Sequence, residues 1–106
     1  MRQPLNPMES KSESHFVEHN ESKRRFEITL GEEMAFAEYR VEGDQMIFTH
    51  TEVPRQFRGR GIAKKLVLAG FDVASKKRLR IVPLCSYAAR VLQEHPEFHG
   101  LPEKRR

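Results

Sequence analysis

Hydrophobic positions along this chain change period once, and that change divides it. Over residues 25–53 apolar side chains tend to alternate with polar ones. "RFEITL" (25–30) sets Phe26, Ile28 and Leu30 on one face, the period of two that marks a half-buried strand. "MAFAEYRV" (34–41) follows Gly31-Glu32-Glu33; Ala35, Ala37, Tyr39 and Val41 share one side, while Met34 and Phe36 begin the other. After a Gly-Asp turn in "EGDQ" (42–45), "MIFTHTEV" (46–53) is rich in β-branched and aromatic residues, a third strand. Three successive strands with short turns predict an antiparallel meander.

From Ile62 the period becomes helical. Apolar residues at 62, 63, 66, 67, 70, 71, 73 and 74 form a stripe suited to facing a sheet. The helix is expected to end near Lys76, where Lys76, Lys77 and Arg78 suit the negative end of the dipole. "LRIVPL" (79–84) predicts a short buried strand, and "SYAARVLQEH" (86–95) a second helix stopped by Pro96. The order β-β-β-α-β-α describes one α/β (α+β) domain, an antiparallel meander followed by β-α-β-α. Its last two strands, joined through a helix, are expected to lie parallel. Met46, Ile47, Phe48, Leu66, Val67, Ile81 and Val82 are the expected core.

The domain is expected over 23–101. Residues 1–22 are polar with two prolines and read as a flexible extension, in which "HFVEH" is able to add a short edge segment. Residues 102–106 form a basic tail. A length of 106 residues fits one domain, and 38% hydrophobic against 32% charged residues limits the core to a modest size. No window approaches the ~20 apolar residues of a membrane span, and no N-terminal segment resembles a signal peptide. A soluble, cytoplasmic monomer is the expectation. A single cysteine makes no internal disulfide and is too few for a sulfur-rich zinc site, so no structural metal is expected. The net charge of +4 suits an anionic ligand, or simply a basic solvated surface.

The charge has a focus. "EVPRQFRGRGIAKKLVLAGF" (52–71) joins the third strand to the helix through Arg58-Gly59-Arg60-Gly61. The first amides of a helix lack carbonyl partners and carry the positive end of the dipole, which makes them an anion site. Gly59 and Gly61 allow close backbone approach, and Arg58 and Arg60 add planar forks for phosphate oxygens. A P-loop is excluded because no Lys-Ser or Lys-Thr follows a glycine here. The dinucleotide fingerprint fails at Lys64, where it needs Gly or Ala.

Arg58-Gly59-Arg60-Gly61-Ile62-Ala63 resembles the (Arg/Gln)-x-x-Gly-x-(Gly/Ala) signature of the GCN5-related N-acetyltransferase (GNAT) superfamily. "HTEV…RGRGIAKKLV" with "PLCSYAARVLQEHPEF" is similar to its small, single-domain YjdJ-type branch, over about residues 25–99. The resemblance implies a minimal GNAT-like fold that binds acetyl-CoA. It implies pantetheine along the strand end near Val53 and the pyrophosphate over residues 58–63, including Ile62 and Ala63. There is no room for the usual helices between the first strands or for the final hairpin, parts that normally shape the acceptor site.

Three residues are candidates for chemistry. Cys85 precedes the second helix, where a thiol is activated by the helix N-terminus, or serves as a small core hydrophobe. His50 falls at period two with Met46, Phe48 and Glu52; on a face that meets the cleft it would act as general base toward an amine or toward Cys85, with Glu52 as base or orienting group. The alternatives are a satisfied strand histidine and a solvent-facing carboxylate. Tyr87 lies where larger relatives often supply a general acid, although packing is its simpler role. The function implied is acetyl transfer from acetyl-CoA to an unidentified amine, small molecule or protein, directly or through Cys85. The rivals are a non-catalytic coenzyme-binding module and a nucleic-acid-binding protein, the latter disfavoured because no aromatic pattern interleaves the arginines.

Overall fold

A computed structural model describes residues 16–100; His15, the rest of 1–15 and the basic tail over 102–106 lie outside the described residues. Five strands run in the order β1 (Glu18–Asn20), β2 (Arg25–Leu30), β3 (Glu33–Glu42), β4 (Gln45–Glu52) and β5 (Arg80–Pro83) across one sheet. Helix α1 (Ile62–Lys76) connects β4 to β5, and α2 (Ser86–Glu94) follows β5. The first four strands pair antiparallel, while β5 lies parallel to β4, as the crossover through a helix requires.

Helix α1 buries Ile62, Leu66, Val67, Gly70, Phe71 and Ala74, the stripe that its period predicts. It lies close on the sheet at Gly70, where an added Cβ would stand 2.5 Å from Cε2 of Phe48 and 3.2 Å from Cε1 of Phe26. Phe26, Phe48 and Phe71 are almost wholly buried, and the last two meet edge to face at 5.2 Å. Each such ring removed from water stabilises the fold by about 2 to 3 kcal/mol. Ala88 and Val91 of α2 join the same core. One expected core position differs: Val82 is only half-buried. Val41 shares the side of Ala37 and Tyr39 as its period predicts, although it is exposed near the end of β3.

The edge segment that "HFVEH" allowed is β1, three residues long and shifted toward the turn. Its anchor is an aromatic group rather than an apolar run. His19 stacks on Phe26 at 4.2 Å, and its Nε2 is paired with the Tyr39 hydroxyl at 2.6 Å.

One irregularity determines the rest. Along β3 and β4, Glu38 pairs with His50, but its neighbour Tyr39 pairs with Phe48, so Thr49 is an extra residue in β4. A bulge of this kind reverses the alternation of the strand beyond it. Met46 and Phe48 point with Ala37 and Tyr39 into the core beneath α1. Past the bulge, Thr51 pairs with Ala37 and takes over that face, while His50 and Glu52 sit with Glu38 and Phe36 on the opposite one. The expectation that residues 46, 48, 50 and 52 share a face is therefore corrected.

Beyond the bulge β4 also loses its other neighbour. The ladder to β5 ends at the pair Phe48 and Pro83, and the amides of Leu84 and Cys85 both donate to the Phe48 carbonyl at 3.0 Å. The strands part there, leaving the last residues of β4 without a β5 partner.

Candidate functional site

A cleft of about 410 Å³ opens where β4 and β5 part, within the size range of small-molecule sites. Six of the seven residues expected to contact a coenzyme line it: Val53, Arg58, Gly59, Gly61, Ile62 and Ala63. Thr51, Glu52, Phe57 and Tyr87 complete the wall. Arg60 is not part of it; its guanidinium lies over the Phe57 ring, 5.5 Å from the centroid.

The floor at the turn is backbone. Gly59 and Gly61 both have φ of 80°, a left-handed conformation that costs a residue with a Cβ strain. No atom lies within 4 Å of where a Cβ would stand on either glycine, so both present open space on their outer side. Gly61 is the N-cap of α1 and supplies no side-chain cap. The ladder of α1 opens with Lys65 N–H donating to Gly61 O at 3.1 Å, so the amides of residues 62–64 precede any carbonyl in helical register. Arg58 has a structural task at the same place: its Nε–H donates to the Val53 carbonyl at 2.9 Å, clamping the end of β4 to the turn.

At the far end of the cleft, Cys85 is the N-cap of α2 and half-buried. Its neighbour is Thr51, with Oγ1 and Sγ 3.5 Å apart. Cys85 thus lies behind Thr51, outside the cleft wall. Tyr87, on the first turn of the same helix, reaches the wall. Burial raises the pKa of its hydroxyl, Glu94 adds to the rise and Arg90 opposes it, so the phenol stays protonated near neutral pH.

His50 and Glu52 form a pair of their own. The Nε2–H of His50 donates to the Glu52 carboxylate at 2.9 Å, both side chains are about half exposed (54% and 47%), and the His50 ring is 6.0 Å from that of Phe36. Glu52 touches the cleft and His50 does not. The idea of His50 as a base for Cys85 meets the bulge: the two lie toward opposite faces, and Thr51 occupies the place beside the sulfur. The alternating pattern of the sequence carries no signal for Thr51 and for Tyr87 points mainly to packing; only the extra residue in β4 brings Thr51 inward.

Elsewhere, His95 pairs with Glu97 at 3.2 Å and His99 with the Leu92 carbonyl at 2.6 Å. Among the described residues, no three His, Cys, Asp or Glu side chains are grouped to hold a metal, and no helix is long and apolar enough to cross a membrane.

Comparison with known proteins agrees with this architecture. A family model described as GCN5-related N-acetyl-transferase matches residues 25–101. Protein NATD1 of Xenopus tropicalis is 36% identical over 88 residues, covering 80% of this chain and 81% of that protein. NATD1 of Homo sapiens is 35% identical over 83 residues, covering 76% and 74%. Among solved structures, the solution structure of a GCN5-like protein from Staphylococcus aureus superposes with a TM-score of 0.63 at 26% identity, covering 82% of this chain and 86% of that one.

Proposed function

The chain belongs to the GCN5-related N-acetyltransferase family, and we propose that it takes acetyl-CoA into the cleft between β4 and α1 and passes the acetyl group to an amine. One observation carries this reading. Unladdered helix amides, two left-handed glycines with open space before them, and an unpaired strand end all converge on one cleft. That set fits a ligand with a diphosphate at one end and an amide-bearing arm at the other. The amides around residues 59–63 would hold the diphosphate, helped by the dipole of α1. The free edge of β4 near Val53 would pair with the pantetheine amides, directing the thioester toward Thr51 and Tyr87. When bound, acetyl-CoA supplies an acyl group activated by a thiol leaving group.

The residues of the chain then have separable tasks. Binding the acyl carbonyl and the amine side by side accounts for much of the acceleration. In direct transfer the amine nitrogen bonds to the acyl carbon and the carbon–sulfur bond breaks. The Glu52 carboxylate, or the His50 ring that it orients, takes the ammonium proton from the face opposite the core. Tyr87, a phenol that carries its proton near neutral pH, delivers it to the departing sulfur. In the covalent alternative the Cys85 sulfur bonds to the acyl carbon as the coenzyme's carbon–sulfur bond breaks, and the coenzyme leaves as its thiol with the Cys85 proton. The amine then takes the acyl group and returns the proton to Cys85, whose sulfur lies 3.5 Å from the Thr51 hydroxyl. The acceptor is read as an amine only, small molecule or protein.

The test is a titration of acetyl-CoA into isotope-labelled protein, following backbone amide shifts. Saturable shifts centred on Val53 and residues 58–63, spreading to Thr51 and Tyr87, are expected. Shifts with a nucleic-acid oligomer and none with acetyl-CoA would overturn the reading. Tight binding without acetyl transfer to any amine would leave a coenzyme-binding module.

A further inference from the structure

Arg60 has no task in the fold. It is exposed, and it makes no hydrogen bond or ion pair among the described residues. Arg58, two residues earlier, is committed to the Val53 carbonyl inside the clamp. Arg60 instead holds its guanidinium over Phe57, a ring that lines the cleft and packs against the core from the short turn Arg55–Phe57. The cation therefore stands at the rim of the cleft and outside it. Stacking on a fixed ring restricts the side chain while leaving the five N–H donors at its edge available.

Given the acetyl-CoA reading, on which this rests, the position of Arg60 identifies what it meets. If the diphosphate lies on the amides of the turn and the pantetheine runs inward along β4, the nucleoside end leaves across the outer side of the turn. That end carries a phosphate monoester on the ribose 3′ oxygen, close to a dianion at neutral pH. A planar guanidinium is the group best matched to such a phosphate, through two parallel charge-assisted hydrogen bonds. We propose that Arg60, poised on Phe57, is the specificity determinant for the 3′-phosphate, so that the protein distinguishes coenzyme A from its 3′-dephospho form.

Calorimetric titration of coenzyme A and of 3′-dephospho-coenzyme A into the whole chain tests this. The unaltered protein is expected to prefer coenzyme A by about tenfold, the scale of one exposed charge-assisted contact. Arg60→Gln should weaken coenzyme A to the level of the dephospho form while leaving the latter nearly unchanged, and Arg60→Lys should keep part of the preference. Raising the salt should shrink the difference. Equal affinities in the unaltered protein, or an equal loss for both ligands in Arg60→Gln, would remove Arg60 from this role and leave the acetyl-CoA reading intact. Binding of neither ligand would remove both.

Discussion

Replacing Gly61 by alanine separates the cost of a backbone conformation from the cost of a blocked ligand. Gly61 has φ of 80° and no atom within 4 Å of a built Cβ, so alanine there meets strain without collision. A left-handed alanine costs about 1 to 2 kcal/mol, and the stiffer unfolded chain returns about 0.4 to 1 kcal/mol. The net loss is about 1 kcal/mol, or roughly 5 °C in Tm for a domain of this size. Gly43, in the turn before β4 at the other end of that strand, has φ of 61° and equally open surroundings. Gly43→Ala should therefore melt about as early as Gly61→Ala. The two should part in ligand binding. A methyl group before the amides of the turn displaces a bound phosphate from one or two backbone donors, each about 1.5 to 3 kcal/mol when the acceptor is charged. Calorimetry should show acetyl-CoA bound at least about tenfold more weakly by Gly61→Ala, and unchanged by Gly43→Ala. Equal affinities in the two variants, with equal Tm losses, would refute the assignment of the phosphate to this turn.

Gly70→Ala should lower stability by up to about 2 kcal/mol in denaturant unfolding, because overpacking against Phe48 at 2.5 Å costs about 1 to 3 kcal/mol against a helix-propensity gain of about 1 kcal/mol; a stabilised variant would show that the ring moves freely. The pKa of His19 is lowered by burial first and by Lys77, against the opposing pull of Glu21. The folded chain thus resists the proton that the unfolded chain accepts below about pH 6.5. Stability should be complete above that pH and fall as the pH drops through it, more steeply in the unaltered protein than in His19→Gln; parallel pH profiles would contradict this. For the chemistry, Cys85→Ala should abolish acetylation of the protein by acetyl-CoA, read by mass spectrometry, if transfer is covalent. If transfer is direct, turnover should survive Cys85→Ala and fall about 100-fold in Glu52→Gln.

Much of this architecture is readable from residues alone, and the failures share a cause. Strands β2 to β4, the buried stripe of α1 and the parallel β5 follow from two simple periods. The glycine turn announces itself because few other residues tolerate its backbone angles. What escapes is whatever depends on partners distant in sequence. His19 anchors β1 through a histidine ring and a tyrosine hydroxyl, neither of which registers as a hydrophobic position. The bulge at Thr49 has no glycine to mark it, and a threonine is an ordinary strand residue. Counting by twos through it assigns His50 to the wrong face and passes over Thr51.

Thr49 also uncouples spacing along the chain from the direction a side chain faces. Deleting its codon would restore plain alternation yet leave Thr51 inward and His50 and Glu52 outward, because the pairs Glu38 with His50 and Tyr39 with Phe48 would close into one regular ladder. Alignments that slide a gap along this strand to maximise identity will therefore match residues that face opposite ways. Equivalent positions among relatives are better assigned from inter-strand partners than from their distance to the glycine turn.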